Sequence, residues 1–397
     1  MTKPLLYSVL PRPPHPARDG LAIRNYHLLL SLAREFRVKS FALLPPHLAG
    51  EPSEYPPGVE AEDVPQGYRL MRQGLALGWG LLPGSAYSEI LYRSRRLSAL
   101  LSRRAAAEKP AWVVAHSYHV GRAALASGHP AWIDFHNVDS EIWRRMGETA
   151  ASPLARAFAR SQSPRAAELE RRLVRAASGI SCVSKRDAER LAAFGSRSAP
   201  LVVSNGVDLT RYRFRAAPRA GEVVLFVGDL GWAPNAEGVR WFRGEVWPEV
   251  RRLRPAARAE VLGRNAPAGL LREGGPDFAF LGDVDDTRPC WEAASVAVVP
   301  LRAGGGTRLK ILEAAACGVP VVSTSLGAEG LKLEKGAEIL LADDARSFAA
   351  AVAALLSDPA AASKQARTAR SRVERLYGWD EIGRRFASEL RARTREL

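Results

Sequence analysis

Cysteine is scarce in this chain: three among 397 residues, at Cys182, Cys290 and Cys317. An odd number with no paired C-x-x-C spacing excludes a disulfide-framed scaffold and a zinc ribbon. The three read as reduced thiols filling small core sites. Long hydrophobic runs are missing as well. No stretch of about 18 uncharged apolar residues occurs, so no membrane span is expected. Met1-Thr2-Lys3-Pro4 leads straight into a short apolar strand without a signal-peptide pattern, so a cytoplasmic location is expected. No Gly-x-Gly-x-x-Gly follows that first strand, which argues against a nicotinamide oxidoreductase. Zinc-finger, RRM-type aromatic and basic–aromatic repeats are also lacking, so nucleic acid is not an expected partner. Negative charge is in deficit: 57 Lys and Arg face 42 Asp and Glu, for a net charge of +15. The stretch up to Asp208 holds 28 of the basic residues against 18 acidic ones. A basic surface suits phosphorylated substrates or anionic lipid head groups.

Hydrophobic content of 47% with 25% charged residues is that of a globular chain, and 397 residues suit two domains. Short β-branched runs alternate with helical stretches, which argues for an α/β fold with parallel sheets covered on both faces. The expected strands of the first half are Leu5–Leu10, Val38–Leu44, Trp112–Ala115, Trp132–Phe135, Ile180–Val183 and Leu201–Val203. Those of the second half are Val223–Val227, Arg258–Leu262, Phe278–Leu281, Val296–Val299, Val319–Ser323 and Ile339–Leu341. The first helix carries the stripe Ile23, Tyr26, Leu30, Ala33. The turn signal Asn205-Gly206 places a domain boundary at Asp208, giving domains 1–208 and 209–378. Long alanine-rich helices are expected from Ala345 to Leu376 and from Trp379 to Glu396. Between Gly67 and Ala107, the apolar Leu75–Pro83 and the arginines 93, 95, 96, 103 and 104 form a candidate surface for an anionic membrane.

The most informative stretch runs from Leu301 to Thr324. It reads as strand end, glycine loop, helix, tight turn and strand. Three consecutive glycines, Gly304-Gly305-Gly306, let the backbone approach a ligand closely. Thr307 is expected to cap the following helix, whose first N–H groups and dipole make an anion site, phosphate being the usual anion. Arg308 and Lys310 fall in its first turn or so, and Glu313 about two turns in. A carboxylate inside the apolar run Leu312–Cys317 needs a partner or a ligand. Gly318-Val319-Pro320 ends the helix.

This segment resembles the donor-site signature of the family-4 (group 1) retaining glycosyltransferases. Their pattern is a glutamate, seven residues, a second glutamate, and then Gly-x-Pro-Val-Val. Further islands match in order: Asp19-Gly20, Asp134-Phe135-His136-Asn137-Val138-Asp139, Cys182-Val183-Ser184, Asn205-Gly206-Val207-Asp208, and Leu225 to Asn235. The resemblance implies the GT-B fold, with two Rossmann-like domains facing across a cleft that closes about the hinge near 205–210. It also implies a last helix, 379–397, that crosses back onto the first domain.

The same resemblance implies the site. Glu313 holds the donor ribose. Gly20 and Gly228 belong to the donor site, Gly305, Gly306, Thr307, Arg308 and Lys310 line its diphosphate, and Asp283 and Val284 meet the nucleotide base through their backbone. His136 contacts the transferring sugar as the catalytic candidate, with His116 and His119 near it. Asp283-x-Asp285 is not expected to hold a metal, and no cofactor is expected beyond the nucleotide-diphosphate sugar. Two departures stand out. Gly305 occupies the place of the first glutamate. Asp229 stands where many members carry an arginine and Asn235 lies near the place of their diphosphate lysine, so the positive charge is expected to have moved to Arg308 and Lys310. The expected activity is retaining transfer of a sugar from a nucleotide-diphosphate donor to a glycan or lipid-linked acceptor, in bacterial polysaccharide or lipid-linked glycan synthesis. Front-face transfer is favoured, because no strong nucleophile lies beside a base at the matched positions. The alternatives are a degenerate nucleotide-sugar-binding scaffold and a GT-B nucleotide-sugar epimerase.

Overall fold

The computed structural model describes residues 2–15, 19–50, 53–67, 74, 86–150, 152–215, 221–304 and 308–395. The apolar segment Leu75–Pro83 and the glycine-loop residues Gly305, Gly306 and Thr307 lie outside them. Packing divides the chain into two compact units: Met1–Ser204 with Trp379–Leu397, and Asn205–Gly378.

The first unit is built on seven strands: β1 (Leu5–Leu10), β2 (Arg37–Leu44), β3 (Val59–Pro65), β4 (Trp112–Ala115), β5 (Ala131–Phe135), β6 (Gly179–Cys182) and β7 (Leu201–Val202). All pairings are parallel, in the order β3-β2-β1-β4-β5-β6-β7. Every residue of β1, β4, β5 and β6 is buried. Helices cover both faces of such a sheet, so its inner strands are written as unbroken apolar runs. The sequence reasoning missed β3. Only Val64 of it is buried, Glu60 and Glu62 are exposed at the sheet edge, and Asp63 is half-buried against Tyr55; charge protects an open edge strand.

The second unit holds β8 (Val223–Val227), β9 (Arg258–Leu262), β10 (Phe278–Gly282), β11 (Val296–Val299), β12 (Val321–Ser323) and β13 (Leu340–Leu341). These are parallel too, in the order β10-β9-β8-β11-β12-β13. Asn205–Asp208, expected in the first domain, packs with the second: the Val207 N–H donates to the Tyr377 carbonyl at 2.7 Å. The helix expected from Ala345 to Leu376 is two helices, Ala345–Ser357 and Pro359–Leu376. Asp358 separates them, and its carboxylate accepts the Ala360 and Ala361 N–H groups. Pro359 stands at the first helical position, where its missing N–H costs nothing.

Trp379–Arg393 packs on the first unit, against the helix Gly20–Glu35. Trp379 stacks on His27 at 5.1 Å, and Trp112 Nε1 donates to Thr394 Oγ1 at 3.0 Å. A Cβ on Gly383 would lie 1.9 Å from Ser31 Oγ, so glycine sets how closely these two helices approach. Phe386 is buried there beside Trp132; truncating such a phenylalanine costs about 3–5 kcal/mol.

Among the described residues no helix is long and apolar enough to cross a membrane. The arginine-rich helix Arg95–Glu108 turns Leu97, Leu101 and Ala105 inward and leaves Arg95, Arg96, Arg103 and Arg104 exposed. Arg104 pairs with Glu62 and Glu108.

Candidate donor and acceptor sites

In both sheets the strand order reverses beside the first strand of the unit, between β1 and β4 and between β8 and β11. Doubly wound sheets bind ligands at the carboxyl ends of the strands flanking such a reversal. Each unit gathers its unusual polar residues there.

In the second unit the loop after β8 meets the helix Leu309–Cys317 that follows β11. Lys310 Nζ donates to Asn235 Oδ1 at 3.0 Å and lies 4.0 Å from the centre of the Phe226 ring. A Cβ on Gly228 would stand 2.6 Å from that ammonium, so the loop's glycine makes room for it. Burial, with the Arg308 charge adding to it and Glu313 opposing, lowers the Lys310 pKa to about 7. Arg308 is buried, its guanidinium 5.6 Å from the centre of the Trp232 ring and close to the Gly304 backbone.

Asp229 acts within the loop, and Asn235 in the first turn of the helix Ala233–Trp241 that follows it. The Asp229 carboxylate accepts from Arg264 Nε at 3.0 Å, the Gly231 N–H at 2.9 Å and Asn265 Nδ2 at 3.1 Å. Asn235 Nδ2 donates to the Asp229 carbonyl at 2.8 Å. The loop ends are laced further through the backbone: Gly228 N–H to Leu262 O at 2.9 Å, and Gly263 N–H to Gly282 O at 2.9 Å. Asp283 and Val284 follow directly, exposed at the end of β10. Among the described residues no group of three His, Cys, Asp or Glu side chains is placed to hold a metal ion.

The helix begins later than expected. Its N-cap is Arg308, extended at φ −92° and ψ 100°, with no side-chain capping bond. This corrects the expectation of a Thr307 cap. With Arg308 drawn over Trp232, the first helical residue is Leu309, and Glu313 sits about one turn in rather than two. Burial raises the Glu313 carboxyl, while Trp291 and Tyr212, which face it, and the Arg211 and Lys310 charges hold it down. Gly318 ends the helix at φ +75°.

In the first unit the equivalent position is built around a buried ion pair. Arg24 Nε and Nη2 meet the two Asp134 oxygens at 2.8 and 2.9 Å. Arg24 Nη1 also donates to the Ser204 carbonyl at 3.2 Å, and Ser181 Oγ to Asp134 Oδ1 at 2.7 Å. Burial alone would raise Asp134, but Arg24 and His136 together hold it well below the usual carboxylate range. His136 Nε2 lies 3.1 Å from Asp134 Oδ2. Burial lowers its pKa against the pull of that carboxylate. His116 is fully buried, and burial lowers it to about 3. His119 is less enclosed: Nδ1 is 2.8 Å from Ser117 Oγ, Nε2 is 3.5 Å from Asp139 Oδ2, and the ring stacks on Tyr92 at 4.5 Å. Gly20 opens the helix Gly20–Glu35. Asp19 caps it by accepting the Ala22 N–H at 3.1 Å, and Arg12 pairs with Asp19.

The sequence reading had not singled out Arg24, Arg264, Tyr212 or Trp291. A signal existed for the first: Asp134 sits inside the apolar strand Ala131–Phe135, and a carboxylate there needs a buried cation. For the other three, nothing in the sequence marks the partner.

A model described as "Glycosyltransferase Family 4" matches residues 18–211, and one described as "Glycosyl transferases group 1" matches 221–358. A glycogen synthase of Mycobacterium tuberculosis is 29% identical over 216 residues, which is 51% of this chain and 51% of that protein. The match thus spans about half that relative's length. Sucrose-phosphate synthase from Thermosynechococcus elongatus superposes over 100% of both chains with a TM-score of 0.74 at 18% identity. Anabaena HepE in complex with UDP superposes over 99% of this chain and 100% of its own, with a TM-score of 0.65 at 17% identity. Two parallel α/β units that superpose on these structures define the GT-B fold. Within that fold, glycosyltransferase models cover most of each unit, the family 4 model in the first and the group 1 model in the second.

Proposed function

We propose that this chain is a retaining glycosyltransferase that moves a sugar from a nucleotide-diphosphate donor to an acceptor hydroxyl of a glycan or lipid-linked oligosaccharide. The second unit takes the donor and the first the acceptor. The observation that carries the reading is the convergence of Lys310, Arg308 and Glu313 at the β8/β11 reversal. Breaking the glycosidic bond releases a diphosphate, and its developing charge needs preorganised donors. The two cations stabilise it there, and Glu313 accepts the vicinal ribose hydroxyls one turn further along.

His136, placed 3.1 Å from Asp134, contacts the transferring sugar. No step draws on a metal or a covalent intermediate: the leaving diphosphate takes the acceptor proton on the face it departs from. The basic first unit favours an anionic acceptor, a lipid diphosphate or a membrane surface carrying one.

The first test is a thermal-shift panel of UDP, GDP, ADP and CMP on the wild type and on Glu313→Ala. A ligand at about 100 times its dissociation constant adds ~2.7 kcal/mol to native stability, which moves the midpoint by a few degrees. A shift with one diphosphate, lost in the variant, supports the reading and fixes the donor class. No shift with any of the four refutes the donor site and favours a degenerate scaffold. Product analysis by NMR then separates transfer from epimerisation.

A further inference from the structure

Three residues that approach Glu313 come from separate segments: Tyr212 from the chain entering the unit, Trp291 from the helix Arg288–Ala293, and Lys310 from its own helix. Tyr212 lies outside any helix or strand and shortly before residues the structure does not describe. A tyrosine on such a segment holds a fixed position only if its backbone is anchored.

Backbone bonds hold the segment at two points, the Tyr212 N–H to the Asp208 carbonyl at 2.9 Å and the Arg215 N–H to the Cys317 carbonyl at 3.3 Å, and the side-chain anchor is Arg370, on the helix Pro359–Leu376. Its Nη1 donates to the Tyr212 carbonyl at 2.9 Å and to the Ala316 carbonyl at 2.7 Å. The Arg370 side chain is mostly buried, and Glu374 accepts from its Nε at 2.7 Å, which fixes the guanidinium in plane. Ala316 lies in the last turn of the helix Leu309–Cys317, where carbonyls lack intrahelical partners. One guanidinium nitrogen thus ties the Tyr212 backbone to the C-terminal end of the helix that carries Glu313. Tyr212 OH is also 3.3 Å from Thr287 Oγ1, which holds the far end of the ring.

We propose that Arg370 is a positioning residue for nucleotide recognition: by clamping Tyr212 to the Glu313 helix, it orients the Glu313 carboxylate to accept both ribose hydroxyls. Arg370 touches no substrate. This inference rests on the proposed ribose role of Glu313. A carboxylate discriminates a diol from a single hydroxyl only when both its oxygens are aimed, so the clamp is read as ribose selectivity rather than as overall affinity.

The experiment compares UDP, GDP and ADP with their 2′-deoxy counterparts by calorimetry, on the wild type, Arg370→Met and Arg370→Lys. Methionine keeps the apolar stem of the side chain and removes both carbonyl bonds. Lysine restores a donor, and keeps the comparison available if the methionine variant folds poorly. The expected result is a wild type that prefers its ribonucleotide by roughly tenfold. In Arg370→Met the preference falls to about two- or threefold while 2′-deoxynucleotide affinity stays within about twofold, and lysine recovers part of it. Equal losses for both nucleotides, or a preference that survives in Arg370→Met, overturn the proposal by reducing Arg370 to a packing role. A wild type that binds both nucleotides equally overturns the ribose role of Glu313 itself, a result distinct from the other two.

Discussion

Lys310 Nζ hydrogen-bonds Asn235 Oδ1 at 3.0 Å. That bond joins a cation on the helix after β11 to the first turn of the helix Ala233–Trp241, at the end of the loop after β8. The ammonium thereby reaches a loop that carries no cation of its own, since Asp229 is engaged by Arg264. On the proposed function, Arg308 and Lys310 supply from the neighbouring βα unit the charge this loop lacks.

Alanine at Arg308 and Lys310 together is expected to weaken nucleoside diphosphate binding by about 100-fold or more. Charge-assisted bonds are worth about 1.5–3 kcal/mol each, and ~1.4 kcal/mol is tenfold. Binding of the parent nucleoside should change by less than about threefold. Calorimetry with both ligands decides; equal losses would remove the assignment.

Diphosphate binding is expected to depend on pH through Lys310. Burial lowers this ammonium to about 7, so its charged form is complete only below that value. Wild-type affinity should therefore gain, relative to Lys310→Arg, as the pH falls from about 8 to about 6, because arginine stays charged throughout. Phosphate titration on the ligand is common to both proteins and cancels in the comparison. Parallel profiles would refute it.

Glu170 should make the first unit less stable as the pH rises. It is fully buried, and burial raises its pKa to about 8, with Asp139 adding to the rise and Ser140 hydrogen bonds opposing it. The folded chain keeps a proton that the unfolded chain releases above about 4.5. Stability from this group is thus present below that value and lost progressively as the pH climbs to about 8. Glu170→Gln should raise the urea midpoint at pH 8 and leave it unchanged near pH 5. A gain of the same size at both values would contradict the titration.

Two neighbouring glycines should fail differently. A Cβ on Gly263 would lie 2.0 Å from the Gly228 carbonyl, a backbone atom with no freedom to move away. Gly263→Ala is expected to cost about 1–3 kcal/mol in denaturant unfolding, the usual range for overpacking. A Cβ on Gly228 would instead meet Lys310 Nζ and Asn235 Nδ2, both at the ends of side chains. Gly228→Ala should melt near the wild type and lose diphosphate affinity. If the two variants reverse these effects, the socket assigned to Lys310 is wrong.

Much of this fold is legible in sequence for a specific reason. Strands such as Trp112–Ala115 and Val296–Val299 are buried on both faces, so they appear as unbroken apolar runs between polar turns. Val59–Pro65 is an edge strand half made of acidic residues, and neither alternation nor apolarity marks it. The site divides similarly. Glu313, Lys310 and Asp134 are visible as charges in apolar surroundings. Arg24 is 110 positions from the carboxylate it neutralises, and its place beside the first helix's apolar stripe does not name that partner. Arg370 is less legible still: it acts on the carbonyls of Tyr212 and Ala316, groups that every residue possesses. The helix cap shifted from Thr307 to Arg308, which is held by its tertiary neighbour Trp232, a contact no local capping rule contains.

The helix Trp379–Arg393 has a consequence for synthesis. The first unit borrows it to cover the helix Gly20–Glu35, and its contact Arg34 to Asp380 spans 346 positions. The second unit draws only on Asn205–Gly378. Domains fold as units while the chain emerges, and contacts of such separation form late. A nascent chain extended to Gly378 therefore carries every residue of its second unit while its first unit still lacks one wall. Vectorial synthesis reverses the order in which the two halves reach completion, and until the last helix docks, the exposed face around Trp132 and Trp112 is the surface a chaperone would meet.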